Sequence, residues 1–267
     1  MSLAAQRTPS LLPLLRIQGR VIGALILREM IARFGRRGGG FLWLFLEPLL
    51  FMALIGGFRF VIFHETLRHD IPIVVFAFVS LLPFLMFRHI VNHSVGAVAQ
   101  NRGLLYHRQV TVLDVLVARN LLEVSVTVAL ALVGLALCGL YLGEWPADPL
   151  LFAVALLMSA LLANGIGMLF GALGAVFAPA RRVVGPFTLV ILPLSGAMWL
   201  MQDMPPAFRA WAEWIPMVSL HEAMRDAQFG SRIVSYHDLG YVLWWALGAT
   251  LVGLAAVRAV SGLARSQ

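Results

Sequence analysis

Lysine is absent from this chain of 267 residues; all 20 of its basic residues are arginine. A P-loop needs its lysine on the terminal phosphates, so that nucleotide site is excluded, and Schiff-base chemistry with it. Charge of either sign is scarce. Only 12% of residues are charged, where a soluble domain carries about 25%. Cysteine is confined to Cys138, inside an apolar stretch. That excludes a disulfide framework or a CxxC metal site and leaves a core-filling role. The histidines sit at the ends of apolar blocks or between them, without metal-ligand spacing. No cleavable signal peptide is read, because Arg7, Arg16, Arg20 and Arg28 interrupt the apolar residues of the N-terminus.

What the chain has in abundance is apolar surface: 60% of residues, with a mean hydropathy of +0.87. The bilayer is the solvent that fits, since about 20 apolar residues span its hydrocarbon core. Six blocks are read as spans: Phe41 to Phe63, Ile71 towards Asn101, Val112 to Leu142, Pro149 to Ala178, Val183 to Leu200, and Leu239 to Val257. The expected fold is therefore all-α, a single transmembrane domain over 1–267 with spans one to five in about 41–200 and span six in about 239–258. Most arginines fall before span one, after spans two and four, and at the C-terminus. Arg68, Arg209, Arg225 and Arg232 fall on the other side. The positive-inside bias then places both termini of a multi-pass membrane protein in the cytoplasm. The net charge of +7 suits an anionic membrane surface, and no nucleic acid is expected as a partner.

Two segments are irregular. About 11–37, apolar yet threaded with arginine, reads as an amphipathic helix lying in the cytoplasmic interface. About 203–237, broken by Pro205, Pro206 and Pro216, reads as two short outer re-entrant half-helices before the last span. Within the spans, Arg88 is expected to snorkel to the inner interface and Glu123 to pair with Arg119 one turn earlier. Gly167 and Gly171 of the fourth block read as close helix packing. Spans four to six hold no acid or base between their ends, so no proton relay is read. His221-Glu222 is not followed by the second histidine of a zinc protease, and Ser195 has no histidine at matching depth. Tryptophan gathers towards the outer side. A headgroup-level belt and stacking on sugar rings both stay open.

The order of these features resembles the membrane subunit of type-2 ABC exporters, in the capsular-polysaccharide and O-antigen branch. Leu27-Arg28-Glu29-Met30 with Arg33-Phe34-Gly35-Arg36 is similar to the family's basic interfacial segment. Gly40-Phe41-Leu42-Trp43 and Glu47-Pro48 resemble its entry into span one. Asn101-Arg102-Gly103-Leu104-Leu105 is similar to the segment after span two. Gln109 to Asp114 with Ala118-Arg119 most resembles the capsule exporters, and Pro216, Glu222 and Arg225 resemble the outer half-helices, although Ile215 stands where the family often has Asn.

The resemblance implies a homodimer joined to two copies of a separate ABC ATPase, which would hold ATP and Mg; no cofactor is expected in this chain. It implies a channel for lipid-linked capsular polysaccharide, with periplasmic co-polymerase-like and outer-membrane export proteins as further partners. Arg28, Glu29, Arg33, Arg36, Arg37, Arg102, Arg108 and Asp114 become candidates for coupling to the ATPase. Trp199, Trp211, Trp214, Glu222 and Arg225 become candidates for the glycan channel or its outer gate. An O-antigen or teichoic-acid exporter, a stand-alone carrier and an intramembrane enzyme remain the alternatives. Glu222 and Arg225 are expected to brace each other, so that swapping both charges rescues single reversals.

Overall fold

A computed structural model describes residues 11–34, 40–63, 71–105 and 110–263. Among these residues ten α-helices follow in order: α1 (Leu11–Phe34), α2 (Gly40–Phe63), α3 (Ile73–Gln100), α4 (Arg102–Leu105), α5 (Val112–Leu142), α6 (Pro149–Val176), α7 (Ala180–Ile191), α8 (Pro206–Ala212), α9 (Pro216–Phe229) and α10 (Leu239–Leu263). Among the described residues there is no strand, and α3, α5, α6 and α10 are long and apolar enough to cross a bilayer.

Local chemistry sets several of these boundaries. At the start of α5, the Asp114 amide donates to the Thr111 hydroxyl at 3.2 Å and the Thr111 amide donates to the Asp114 carboxylate at 2.8 Å. This capping box satisfies two of the N–H groups that a helix start leaves over. The helix ends at Gly143, whose φ of 71° closes the last turn in a conformation that costs glycine little. Asp148 caps α6 by accepting from the Leu151 amide at 2.9 Å, with Pro149 in the first turn. The fifth block is a 12-residue helix, α7, continued by a 3-10 turn at Leu192–Leu194 and further turns through Gly196. Pro186 and Pro193 lie in this stretch, and Gly196 has φ 91°.

Helix α3 is the core of the bundle, covered along most of its length by α2, α5, α6, α7 and α9. Close approach is made possible by glycine. A Cβ on Gly165 would meet the Thr250 backbone nitrogen of α10 at 2.6 Å, and one on Gly253 would meet the Gly165 carbonyl at 2.6 Å. On the next face of α6, a Cβ on Gly167 would meet Ile90 at 2.6 Å, and one on Gly174 would overlap the Val95 carbonyl oxygen of α3. The small residues of α6 therefore pack helices backbone to backbone, as membrane helices without a strong hydrophobic drive between them require.

The bundle has two dissimilar ends. Arg28, Arg102 and Arg119 mark one, where α1 packs on α5. Trp145, Trp199, Trp211 and Trp214 mark the other, where α9 packs on α3, α6 and α10.

Candidate functional site

At the arginine-rich end, a single guanidinium joins three helices. Arg119 of α5 donates from Nε (3.0 Å) and Nη2 (2.5 Å) to Oε1 of Glu29 on α1. Its Nη2 also reaches Gln100 at 2.8 Å, and its Nη1 the His93 carbonyl at 3.1 Å, both on α3. Beside it, Arg28 donates to the Asn101 side chain at 2.9 Å, and Gln18 donates to Asp114. A cavity of about 10 Å³ between Arg28, Glu29, Asn101 and Arg119 has room for about one water molecule. Arg102 is exposed on α4. Arg36, Arg37 and Arg108 lie outside the described residues, as does the side chain of Arg33.

Further into the bundle the polar residues find different partners from those expected. Glu123 takes the His93 ring, because Arg119 has turned to Glu29. Arg88 pairs with Glu47 of α2, with His89 3.3 Å from the other carboxylate oxygen. In each case the arginine's partner is an acid on another helix. Sequence reasoning passed over a third chain, in which Ser94 donates to Asn120 at 2.7 Å and Asn120 donates to Asn164 at 2.8 Å, linking α3, α5 and α6. Its available signal was two asparagines inside strongly apolar helices. In hydrocarbon such groups must pair with one another.

At the tryptophan-rich end, Glu222 and Arg225 are both fully buried on α9 and meet at 2.6 Å. Each has partners beyond the other. Glu222 accepts from the amides of Met201 (3.2 Å) and Tyr236 (3.4 Å). Arg225 donates to the Gly196 carbonyl at 2.9 Å and to Ser80 of α3 at 3.4 Å, and lies over the Phe76 ring. The pair thus gathers α9, α3, the turns after α7 and the segment before α10. A second attachment runs from α9 to the α5–α6 loop. Asp148 and Ala147 amides donate to the Ala227 and Gln228 carbonyls at 2.8 and 3.2 Å. Arg232 grips Glu144 with both terminal nitrogens, at 3.0 and 2.5 Å. The Arg232 guanidinium holds the Glu144 carboxyl below its ordinary range.

The three candidate tryptophans part company. Trp199 is 6% exposed; its indole N–H donates to the Pro193 carbonyl at 2.8 Å, and its ring meets Phe208 edge-on at 5.0 Å. Trp211 and Trp214 are 49% and 74% exposed. Asp114 is buried and occupied by its cap and by Gln18, so its geometry is that of a joint between α1 and α5.

A bundle of long apolar helices, held together by polar contacts at both ends and by glycine in between, is an integral membrane subunit. The chain matches the family model described as ABC-2 type transporter over residues 20–229. It is 38% identical over 248 residues to the capsule polysaccharide export inner-membrane protein CtrC of Neisseria meningitidis serogroup B, covering 91% of this chain and 92% of CtrC. Identity is 34% over 251 residues to the capsule polysaccharide export inner-membrane protein BexB of Haemophilus influenzae, covering 91% and 92%. It is 32% over 244 residues to the polysialic acid transport protein KpsM of Escherichia coli, covering 91% and 94%. The chain belongs to the ABC-2 type transporter family, and it is a transport permease subunit.

Proposed function

We propose that this subunit forms the membrane channel of an ATP-driven exporter that carries lipid-linked capsular polysaccharide across a bacterial inner membrane. The observation that carries the reading is the match to capsule-export relatives across about nine-tenths of both chains. The missing lysine supports a separate engine, because a chain without a P-loop needs its ATP and Mg bound elsewhere. In this reading the chain is one membrane domain, works as a homodimer with two ATPase copies, and places both termini in the cytoplasm. Six crossings are formed by α2, α3, α5, α6, α7 with the turns after it, and α10. Helices α8 and α9 are the outer re-entrant pair.

The arginine-rich end then faces the ATPase, through Arg28, Glu29, Arg33, Arg36, Arg37, Arg102 and Arg108, with Asp114 holding α1 in place. At the other end Trp211 and Trp214 border the path of the glycan, and Trp199, Glu222 and Arg225 hold the outer gate in shape. Co-polymerase-like and outer-membrane proteins continue the route. Deletion of the gene in an encapsulated host tests the proposal directly. Surface polysaccharide is expected to disappear while lipid-linked polymer accumulates inside, and the tagged subunit is expected to co-purify with an ABC ATPase. Full capsule in the deletion strain, or export by the reconstituted subunit alone, overturns it.

A further inference from the structure

The two polar assemblies described above share one helix. α5 has 31 residues, so it is about 46 Å long. It meets α1 near its first turns and α9 just past its end. At the arginine-rich end the tie is Arg119 to Glu29, seconded by Asp114 to Gln18. At the tryptophan-rich end it is Glu144, the residue after the Gly143 cap, to Arg232, seconded by Gln228 donating to the Glu144 carbonyl at 3.1 Å. Both ion pairs use more than one guanidinium nitrogen, which fixes orientation as well as distance.

Between these ties α5 is bonded to α3 and α6 over its first half, by Glu123 to His93 and by Asn120 to Ser94 and Asn164, while Leu132, Val133, Leu137 and Leu140 of its second half are exposed. An α-helix resists stretching through its own hydrogen bonds, so α5 moves as one piece. A displacement of α1 that carries the start of α5 with it is therefore felt at Glu144. There it pulls on the far end of α9, whose near part carries the buried pair gripping Gly196, Met201 and Tyr236.

We propose that α5 is the transmission rod between α1 and α9, with Arg119 and Glu144 as its positioning residues. The proposal rests on the reading of α1 as the element that receives the ATPase's motion. Reversing one charge of the outer pair, Glu144→Arg, puts two cations together and unfastens the rod at the end remote from the ATPase. Reversing both, Glu144→Arg with Arg232→Glu, refastens it, because these side chains are partly exposed and serve chiefly each other.

The experiment uses the full complex of subunit and ATPase in liposomes, with lipid-linked glycan from the same host, and reads polymer exported per ATP hydrolysed. The single reversal and Arg119→Ala are both expected to lower that ratio about tenfold while ATP turnover persists. The double reversal is expected to bring it back. An unchanged ratio in the single reversal overturns the rod. So does a proportional loss of ATP turnover and export, which is the mark of failed assembly, and so does a double reversal that stays uncoupled. Absence of ATP-driven export by the unaltered complex is a different result, and it removes the functional reading itself.

Discussion

Reversing both charges of the buried pair, Glu222→Arg together with Arg225→Glu, keeps opposite signs three residues apart on α9. From spacing alone the double reversal should mend what either single reversal breaks. The structure leads to the opposite expectation. The Glu222 carboxylate also accepts from the Met201 and Tyr236 amides, and the Arg225 guanidinium also donates to the Gly196 carbonyl. After the exchange a cation faces two N–H donors and an anion faces a carbonyl oxygen. The attraction within the pair returns, but three backbone groups lose their partners. Each buried group left without a hydrogen bond costs about 1–3 kcal/mol, so the double reversal is destabilised by about 3–9 kcal/mol. Removing one partner alone costs about 3–5 kcal/mol. Exchange is therefore no rescue. At about 2–4 °C per kcal/mol for a chain of this size, the melting temperature falls by about 6 °C or more. Tryptophan-fluorescence melts of the purified subunit in detergent measure it, with Glu222→Leu/Arg225→Met as the comparison. That uncharged variant leaves the same three groups unpaired without adding repulsion, so it should melt above the exchanged one. A double reversal melting within about 2 °C of the unaltered protein refutes the reasoning.

Gly174→Ala places a methyl onto the Val95 carbonyl and should cost about 1–3 kcal/mol through forced separation of α6 and α3. Gly248→Ala, with open space around its Cβ position, should be neutral or stabilising; equal melts for the two would sink the packing argument. Trp199→Ala should lose about 3–5 kcal/mol, because a buried ring and its hydrogen bond vanish. Trp211→Ala and Trp214→Ala should shift stability by no more than about 0.5 kcal/mol. Of the three candidate tryptophans, these two exposed ones separate sugar contact from a membrane belt: reduced export at normal stability supports contact, and unchanged export supports the belt. The Glu144–Arg232 pair should be pH-dependent. With the carboxyl's folded pKa lowered, its stabilisation is full above the ordinary carboxylate value and fades as pH falls through the lowered one. Melts of the unaltered protein and of Arg232→Ala should therefore converge in acid, and a gap that stays constant with pH would show that the pair adds nothing.

How much of this was legible depends on whether the signal was local. The limits of α5 coincide with the apolar block Val112 to Leu142, because the residues that stop it, Thr111 and Gly143, act within a turn of themselves. The fifth block read as one span although α7 ends at Ile191: hydropathy registers Pro193 and Gly196 weakly, while backbone geometry registers them strongly. Charge pairing was the least legible. An i, i+4 rule offers Arg119 to Glu123, yet its partner Glu29 comes from a helix 90 positions away. Nothing in the spacing could rank the two, since the choice is made by how α1 lies against α5. Asp114 entered as a coupling candidate through the family resemblance, and the structure adds that it caps α5 and accepts from Gln18.

The absence of lysine takes on a structural sense from these pairings. Arg119 meets acceptors on Glu29, Gln100 and His93 at once, and Arg225 meets Glu222, Gly196 and Ser80. A planar guanidinium presents five donors in fixed directions and is more weakly hydrated than an ammonium. It can therefore bind several elements from one buried position, where an ammonium would hold a single partner and keep drawing water towards itself. In a bundle whose interior offers little other polar material, such a group is both the attachment and the orienting device. The two positions where arginine acts this way are at opposite ends of the bundle, one beside α1 and the other on α9. Helix α3 links the two, since Arg119 reaches Gln100 near its end and Arg225 reaches Ser80 near its start.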